Sequence, residues 1–117
     1  MIKSLDYVTL FVDDLPSCLA FYRDVLGLPV VQTSDRFALL DAGACRIGLN
    51  GSTGGDSAGG VNPHFRVDDV EAACAWLRRR GAAIAEPPRN MPWSVRSVTM
   101  HDPAGHRVEL VSPTKPA

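Results

Sequence analysis

The sequence has no excess of either charge. Its 12 lysines and arginines against 13 aspartates and glutamates leave a formal net charge of -1 and a pI near 6.3, so no basic face is expected to attract nucleic acid or an anionic lipid surface. The one cationic run, Arg78 to Arg80, reads as a solvated helix face. Long apolar runs are also missing: no segment approaches the roughly 20 residues needed to cross a bilayer. The N-terminal MIKSLDYVTLFVDD has neither the apolar stretch nor the small-residue cleavage site of an export signal, and a cytoplasmic location is expected. Cysteine is scarce. Cys18, Cys45 and Cys74 are odd in number and lack zinc-knot spacing, so in a reducing compartment they read as small packing residues. No glycine-rich phosphate loop, Ser-His-Asp order or dinucleotide fingerprint is present, because the glycines between 51 and 60 precede a strand and not a helix.

What is present suits one compact domain. The chain has 117 residues, 45% hydrophobic and 21% charged, enough for a modest core. Tyr7 to Val12 alternates as a strand does, Asp13-Asp14-Leu15-Pro16-Ser17 is a helix-start signal, and Leu15, Cys18, Leu19, Tyr22, Val25 and Leu26 recur at helical spacing before Gly27. Strands are expected at Pro29 to Thr33, Phe37 to Asp41 and Cys45 to Asn50, so the first half reads βαβββ.

Sliding the sequence by 55 residues puts Val12-Asp13-Asp14 on Val67-Asp68-Asp69 and Leu19 on Cys74. Sliding it by 61 puts Asp41 on Asp102, Arg46 on Arg107 and Gly48 on Glu109. The second half therefore repeats βαβββ, with a helix from Asp69 to Arg80 and strands at Ala83 to Ala85, Val95 to His101 and Arg107 to Val111. The expected organisation is a single domain, 1–117, with a first module at 1–50, a Gly/Ser-rich connector at 51–60 and a second module at 61–113. The fold class is α+β: two modules, each a small mixed sheet with one helix on one face, curving around a cleft. Strand parity sends Leu10, Val12, Phe65, Val67, Val108 and Leu110 toward the helices. It sends Tyr7, Thr9, Phe11, Asn62, His64, Arg66, Arg107, Glu109 and Val111 the other way.

LDYVTLFVDDLPSCLAFYRDVLGL, FRVDDVEAACAWLRRRGA and PWSVRSVTMHDPAGHRVEL, in that order over an internal repeat, resemble the vicinal oxygen chelate superfamily, which includes glyoxalase I, extradiol dioxygenases, fosfomycin-modifying enzymes and bleomycin-binding resistance proteins. Metal-dependent members hold one divalent ion with His, Gln or Glu from the first and last strands of each module. By the resemblance these positions are Tyr7, Gly48, Asn62 and Glu109, and only Glu109 is a good ligand. The metal site reads as dismantled and no cofactor is expected, although a divalent metal in a displaced His64, His101, Glu109 set remains the alternative. Glu109 then pairs with Arg107, Arg66 or His64, accepts a bond from a ligand, or stands solvated on an open face. Buried beside Tyr7 and Phe11 its pKa would rise, and it would serve as a general acid or base.

The ligand-facing set is Tyr7, Thr9, Phe11, Arg46, Asn62, His64, Arg66, Trp93, Ser97, Thr99 and Arg107, a mixture of flat rings, neutral hydrogen-bonding groups and cations that suits a planar or heterocyclic small molecule. Structural readings stand beside it, with Phe11 in a dimer core and Trp93 as a lid. Pro87, Pro88 and Met91-Pro92-Trp93 are read as a stiff loop of the kind that closes over ligands in the family. Two functions follow. One is a metal-free binding protein of the bleomycin-resistance type that sequesters an antibiotic or metabolite. The other is a glyoxalase- or dioxygenase-like lyase, isomerase or cyclase using Glu109, His64 or Tyr7. The resemblance also implies a homodimer.

Overall fold

The structure is a computed structural model that describes residues 1, 3, 5–51, 61–92 and 94–114. It is an α+β fold in two compact units, Met1–Gly59 and Gly60–Ala117, each with a four-stranded mixed sheet. Apart from Gly51, the expected connector lies outside the described residues, as does Trp93.

In the first unit the sheet order is β1 (Tyr7–Phe11), β4 (Arg46–Asn50), β3 (Phe37–Asp41) and β2 (Val30–Thr33). β1 runs parallel to β4, and the other pairs are antiparallel. The helix α1 (Leu15–Ala20) starts where the sequence signals it. The Asp14 carboxylate accepts from the Ser17 backbone N–H at 3.2 Å, satisfying one of the donors a helix start leaves open. A single α-helix to Leu26 was expected, and here the structure differs. From Phe21 to Val25 the chain takes a π-helical turn, with the Leu26 N–H reaching the Phe21 carbonyl at 3.0 Å. The wider turn lets the neighbouring rings of Phe21 and Tyr22 both enter the core, edge to face at 5.0 Å. Around them lie Leu10, Val12, Cys18, Ala38, Leu40, Ile47 and Leu49. Fully burying each Leu or Ile stabilises the unit by roughly 1.5–3 kcal/mol.

The second unit repeats this plan in the order β5 (His64–Arg66), β8 (Arg107–Pro113), β7 (Val95–His101), β6 (Glu86–Met91). The helix α2 (Val70–Arg79) is capped by Asp69, which accepts from the N–H groups of Glu71 and Ala72. Its Val70, Cys74 and Leu77 are buried, as are Val98, Met100, Val108 and Leu110 of the sheet. The expected strand at Ala83 to Ala85 is corrected: β6 occupies the Glu86–Met91 segment that had been read as a proline-stiffened loop. β6 is an edge strand, and its register shifts between Glu86 and Arg89, where Pro87 and Pro88 stand. An edge strand with a local bulge accepts prolines because their missing N–H groups face no partner strand. None of the three cysteines is in a disulfide. Among the described residues no helix is long and apolar enough to cross a membrane.

Candidate functional site

In the second unit, β8 alternates between the core and the face turned from α2, and Glu109 falls on that outer face between Val108 and Leu110. β5 and β7 flank it: His64 and Thr99 stand directly opposite Glu109 on either side. The carboxylate is nonetheless only 3% exposed, because four neighbouring side chains close over it. Ser97 Oγ donates to Oε1 at 2.6 Å. Asn62 Nδ2 at 2.9 Å, His64 Nε2 at 3.0 Å and Arg107 Nε at 3.3 Å all meet Oε2. The expected pairing with Arg107 and His64 is present, whereas Arg66 makes no bond to it. The solvated reading of Glu109 is corrected by the same geometry.

So is the expected direction of its pKa. Burial pushes the carboxyl up, but hydrogen bonds from Ser97, Asn62 and Arg107 and the charge of His64 outweigh it and hold the group at about 2, against an ordinary 4.5. Glu109 is therefore ionised throughout the neutral range and has no proton to give. Arg107 continues the network, its Nη2 donating to Glu86 Oε2 at 2.6 Å and Thr99 Oγ1 at 3.4 Å. Glu86 was not singled out in the sequence, because misplacing β6 hid its position opposite Thr99. Ser97 and Thr99 had been expected to face a ligand. Both are 2% exposed, and their hydroxyls serve Glu109 and Arg107.

The residues at the resemblance's four metal positions do not suit a divalent ion. In the first unit Gly48 pairs with Thr9, and a Cβ built on it would lie 3.1 Å from both Phe37 Cζ and Thr9 Oγ1. The Phe37 ring thus fills the space through which a ligand side chain would project. In the second unit the Arg107 guanidinium already occupies Oε2 of Glu109. A divalent cation within about 4 Å of a guanidinium meets a repulsion on the order of 8 kcal/mol at an effective dielectric near 20. His101, the third member of the alternative set, is exposed at the end of β7. Among the described residues no group of three His, Cys, Asp or Glu side chains is gathered as metal ligands would be.

The corresponding face of the first unit is aromatic and open. Tyr7 is 51% and Phe11 47% exposed, with Thr9 between them on β1. Arg46 stands beside Tyr7 on β4 and is exposed. A pocket of about 330 Å³ opens at this end of the sheet, with Tyr7, Leu39, Cys45 and Arg46 in its wall.

This architecture has known counterparts. A crystal structure of a glyoxalase/bleomycin resistance protein/dioxygenase from Nocardioides superposes with a TM-score of 0.81 at 18% identity, covering 100% of this chain and 87% of that one; at that identity the likeness is one of fold. TnmS3, an antibiotic binding protein from Streptomyces sp. CB03234, superposes with a TM-score of 0.78 at 25% identity over 97% of this chain and 98% of its own. In sequence, the metallothiol transferase FosB of Staphylococcus haemolyticus is 24% identical over 94% of this chain and 84% of its own length. The model of one family matches residues 4–110, a span that runs from β1 into β8 and takes in α1, α2 and the Glu109 cluster, and the chain thus belongs to the Glyoxalase/Bleomycin resistance protein/Dioxygenase superfamily.

Proposed function

We propose that this chain is a metal-free small-molecule binding protein of the bleomycin-resistance type, which takes up a planar or aromatic antibiotic or metabolite and releases it unchanged. One observation carries the reading: Asn62, His64 and the Arg107 guanidinium converge on Oε2 of Glu109 while Ser97 donates to Oε1, so a cation and three further donors already hold the carboxylate that an incoming ion would need. The likeness to the antibiotic-binding TnmS3 over nearly the full length of both chains supports it. Taken separately, the first module offers Tyr7, Thr9, Phe11 and Arg46 to such a ligand, and the second offers Asn62, His64, Arg66 and Arg107. The likeness to a metallothiol transferase supports the competing reading of an enzyme. That reading is weakened by the Arg107 guanidinium at Glu109 and by an ionisation that keeps Glu109 from acting as an acid.

The same proposal places the protein in the cytoplasm as a homodimer. Val30 and Val31, 39% and 43% exposed on the edge strand β2, support an association through unpaired strand edge and apolar surface. Fluorescence titration with a panel of aromatic antibiotics, followed by mass spectrometry of the recovered ligand, tests the function. Saturable uptake with the ligand recovered intact is expected. Conversion of any bound antibiotic to a product would overturn the reading in favour of the enzyme.

A further inference from the structure

We propose that the first module carries a site for a small planar aromatic monoanion, its anionic group on Arg46 and its ring against Tyr7; this names the ligand class of the binding function proposed above and rests on it. The pocket at the end of the first sheet is bounded by Leu5, Asp6, Tyr7, Leu39, Cys45 and Arg46 and measures about 330 Å³. That is near the lower end of the roughly 300–1,000 Å³ usual for small-molecule sites, room for one or two fused rings. Tyr7 and Arg46 are register partners on β1 and β4. Register partners on neighbouring strands, about 4.8 Å apart, project from the same face of the sheet, so a ring and a cation stand side by side at the pocket wall.

The state of Arg46 gives the site its charge preference. Arg23, Arg89, Arg96 and Arg107 are each held by a carboxylate, whereas the Arg46 guanidinium has no hydrogen-bond or ion-pair partner among the described residues. A planar guanidinium left open is suited to a carboxylate or phenolate taken in two parallel hydrogen bonds. Tyr7, half exposed, offers a ring face for stacking, and Leu5 and Leu39 offer apolar contact. Asp6 is the sole acidic residue of the lining. A carboxylate in the lining disfavours a second anionic group on the ligand, so the site favours a monoanion over a phosphate-rich or dicarboxylate ligand.

Cys45 supplies a reporter that needs no substitution. It is partly exposed at the pocket, while Cys18 and Cys74 are buried, so iodoacetamide on the folded protein reads Cys45. The test uses naphthoate and its neutral amide as probes, titrated calorimetrically into the wild-type chain and into Arg46→Gln, with Cys45 alkylation followed in the presence and absence of naphthoate. The expected result is naphthoate binding about tenfold tighter than the amide, loss of that preference in Arg46→Gln, and alkylation slowed several-fold by naphthoate. Equal affinity for acid and amide, a preference that survives Arg46→Gln, or unprotected Cys45 would overturn the site. Chemical conversion of a bound antibiotic would instead sink the binding function while leaving the acid preference of Arg46 intact, so the two failures are distinguishable.

Discussion

Glu109 accepts four donors through two oxygens, and two of those donors, the Asn62 amide nitrogen and the Arg107 guanidinium, have no lone pair to offer in return. Three donors converging on Oε2, one of them a cation, favour the carboxylate form. Its folded pKa of about 2 lies below the ordinary 4.5, so as pH falls the unfolded chain binds this proton first. The contribution of Glu109 to stability is therefore complete above about pH 4.5 and is lost as pH falls through that value toward 2. At neutrality it amounts to something on the order of 3 kcal/mol. In Glu109→Gln the Arg107 guanidinium keeps Glu86 but loses one of its two counter-charges, and the donors at Oε2 face a neutral carbonyl in place of a carboxylate, at an expected cost of about 2–4 kcal/mol. Urea denaturation of both proteins across this pH range checks the assignment. The other ion-paired carboxylates, exposed Glu71 on Arg96 and half-buried Glu86 on Arg107, remain in both proteins, so the gap between the two curves reports chiefly Glu109. It should narrow as pH falls, and parallel curves would contradict a depressed pKa. Strand parity made the face of Glu109 legible in the sequence, along with two of its partners, Arg107 and His64. The direction of its pKa was not legible. That depends on how many donors converge in space, and Ser97 enters the count only through the β7 register.

Among the elements, the hairpin joining β7 to β8 is built on one side chain. Asp102 Oδ1 accepts from the Ala104 and His106 N–H groups at 3.0 and 2.8 Å, and Oδ2 lies 3.0 Å from His106 Nδ1. Gly105 takes a φ of 92°, which only glycine adopts without strain. Asp102 and His106 are both 4% exposed, so Asp102→Ala would strand buried donors and is expected to cost about 2–4 kcal/mol. Chemical denaturation reads this directly; a loss below about 0.5 kcal/mol would mean that the backbone alone holds the turn. The spans of β3 and β7 follow their alternation as read from the sequence, and Asp69 precedes α2 as its capping chemistry implies. β6 was unreadable for an identifiable reason. Prolines argue against a strand unless it is known to lie at an edge, and edge position is a property of the sheet order. The π-helical turn at Phe21–Val25 was hidden likewise, since nothing local distinguishes it until Phe21 and Tyr22 compete for one core.

At the scale of the molecule, the internal repeat is what made the fold readable: two slides of the sequence recover the correspondence between β1, α1 and β4 and their counterparts β5, α2 and β8. The same correspondence exposes the divergence of the two modules. Gly48 and Glu109 are equivalent positions, one closed by Phe37 and the other by its own hydrogen-bond partners. Exposed aromatic surface lies on the first module, at Tyr7 and Phe11, and the charged network on the second. The proposed dimer is checked by light scattering at micromolar concentration, with twice the chain mass of 12.6 kDa expected and a monomer as the contrary result.

The most direct test of the central claim is calorimetric titration of the chelator-treated protein with zinc, manganese, nickel and cobalt(II), paired with thermal melts, because an ion bound only to the folded state must raise the melting temperature. With Arg107 seated on Glu109, no stoichiometric binding and no upward shift are expected. One ion per chain, with a raised melting temperature that disappears in both His64→Gln and Glu109→Gln, would contradict it.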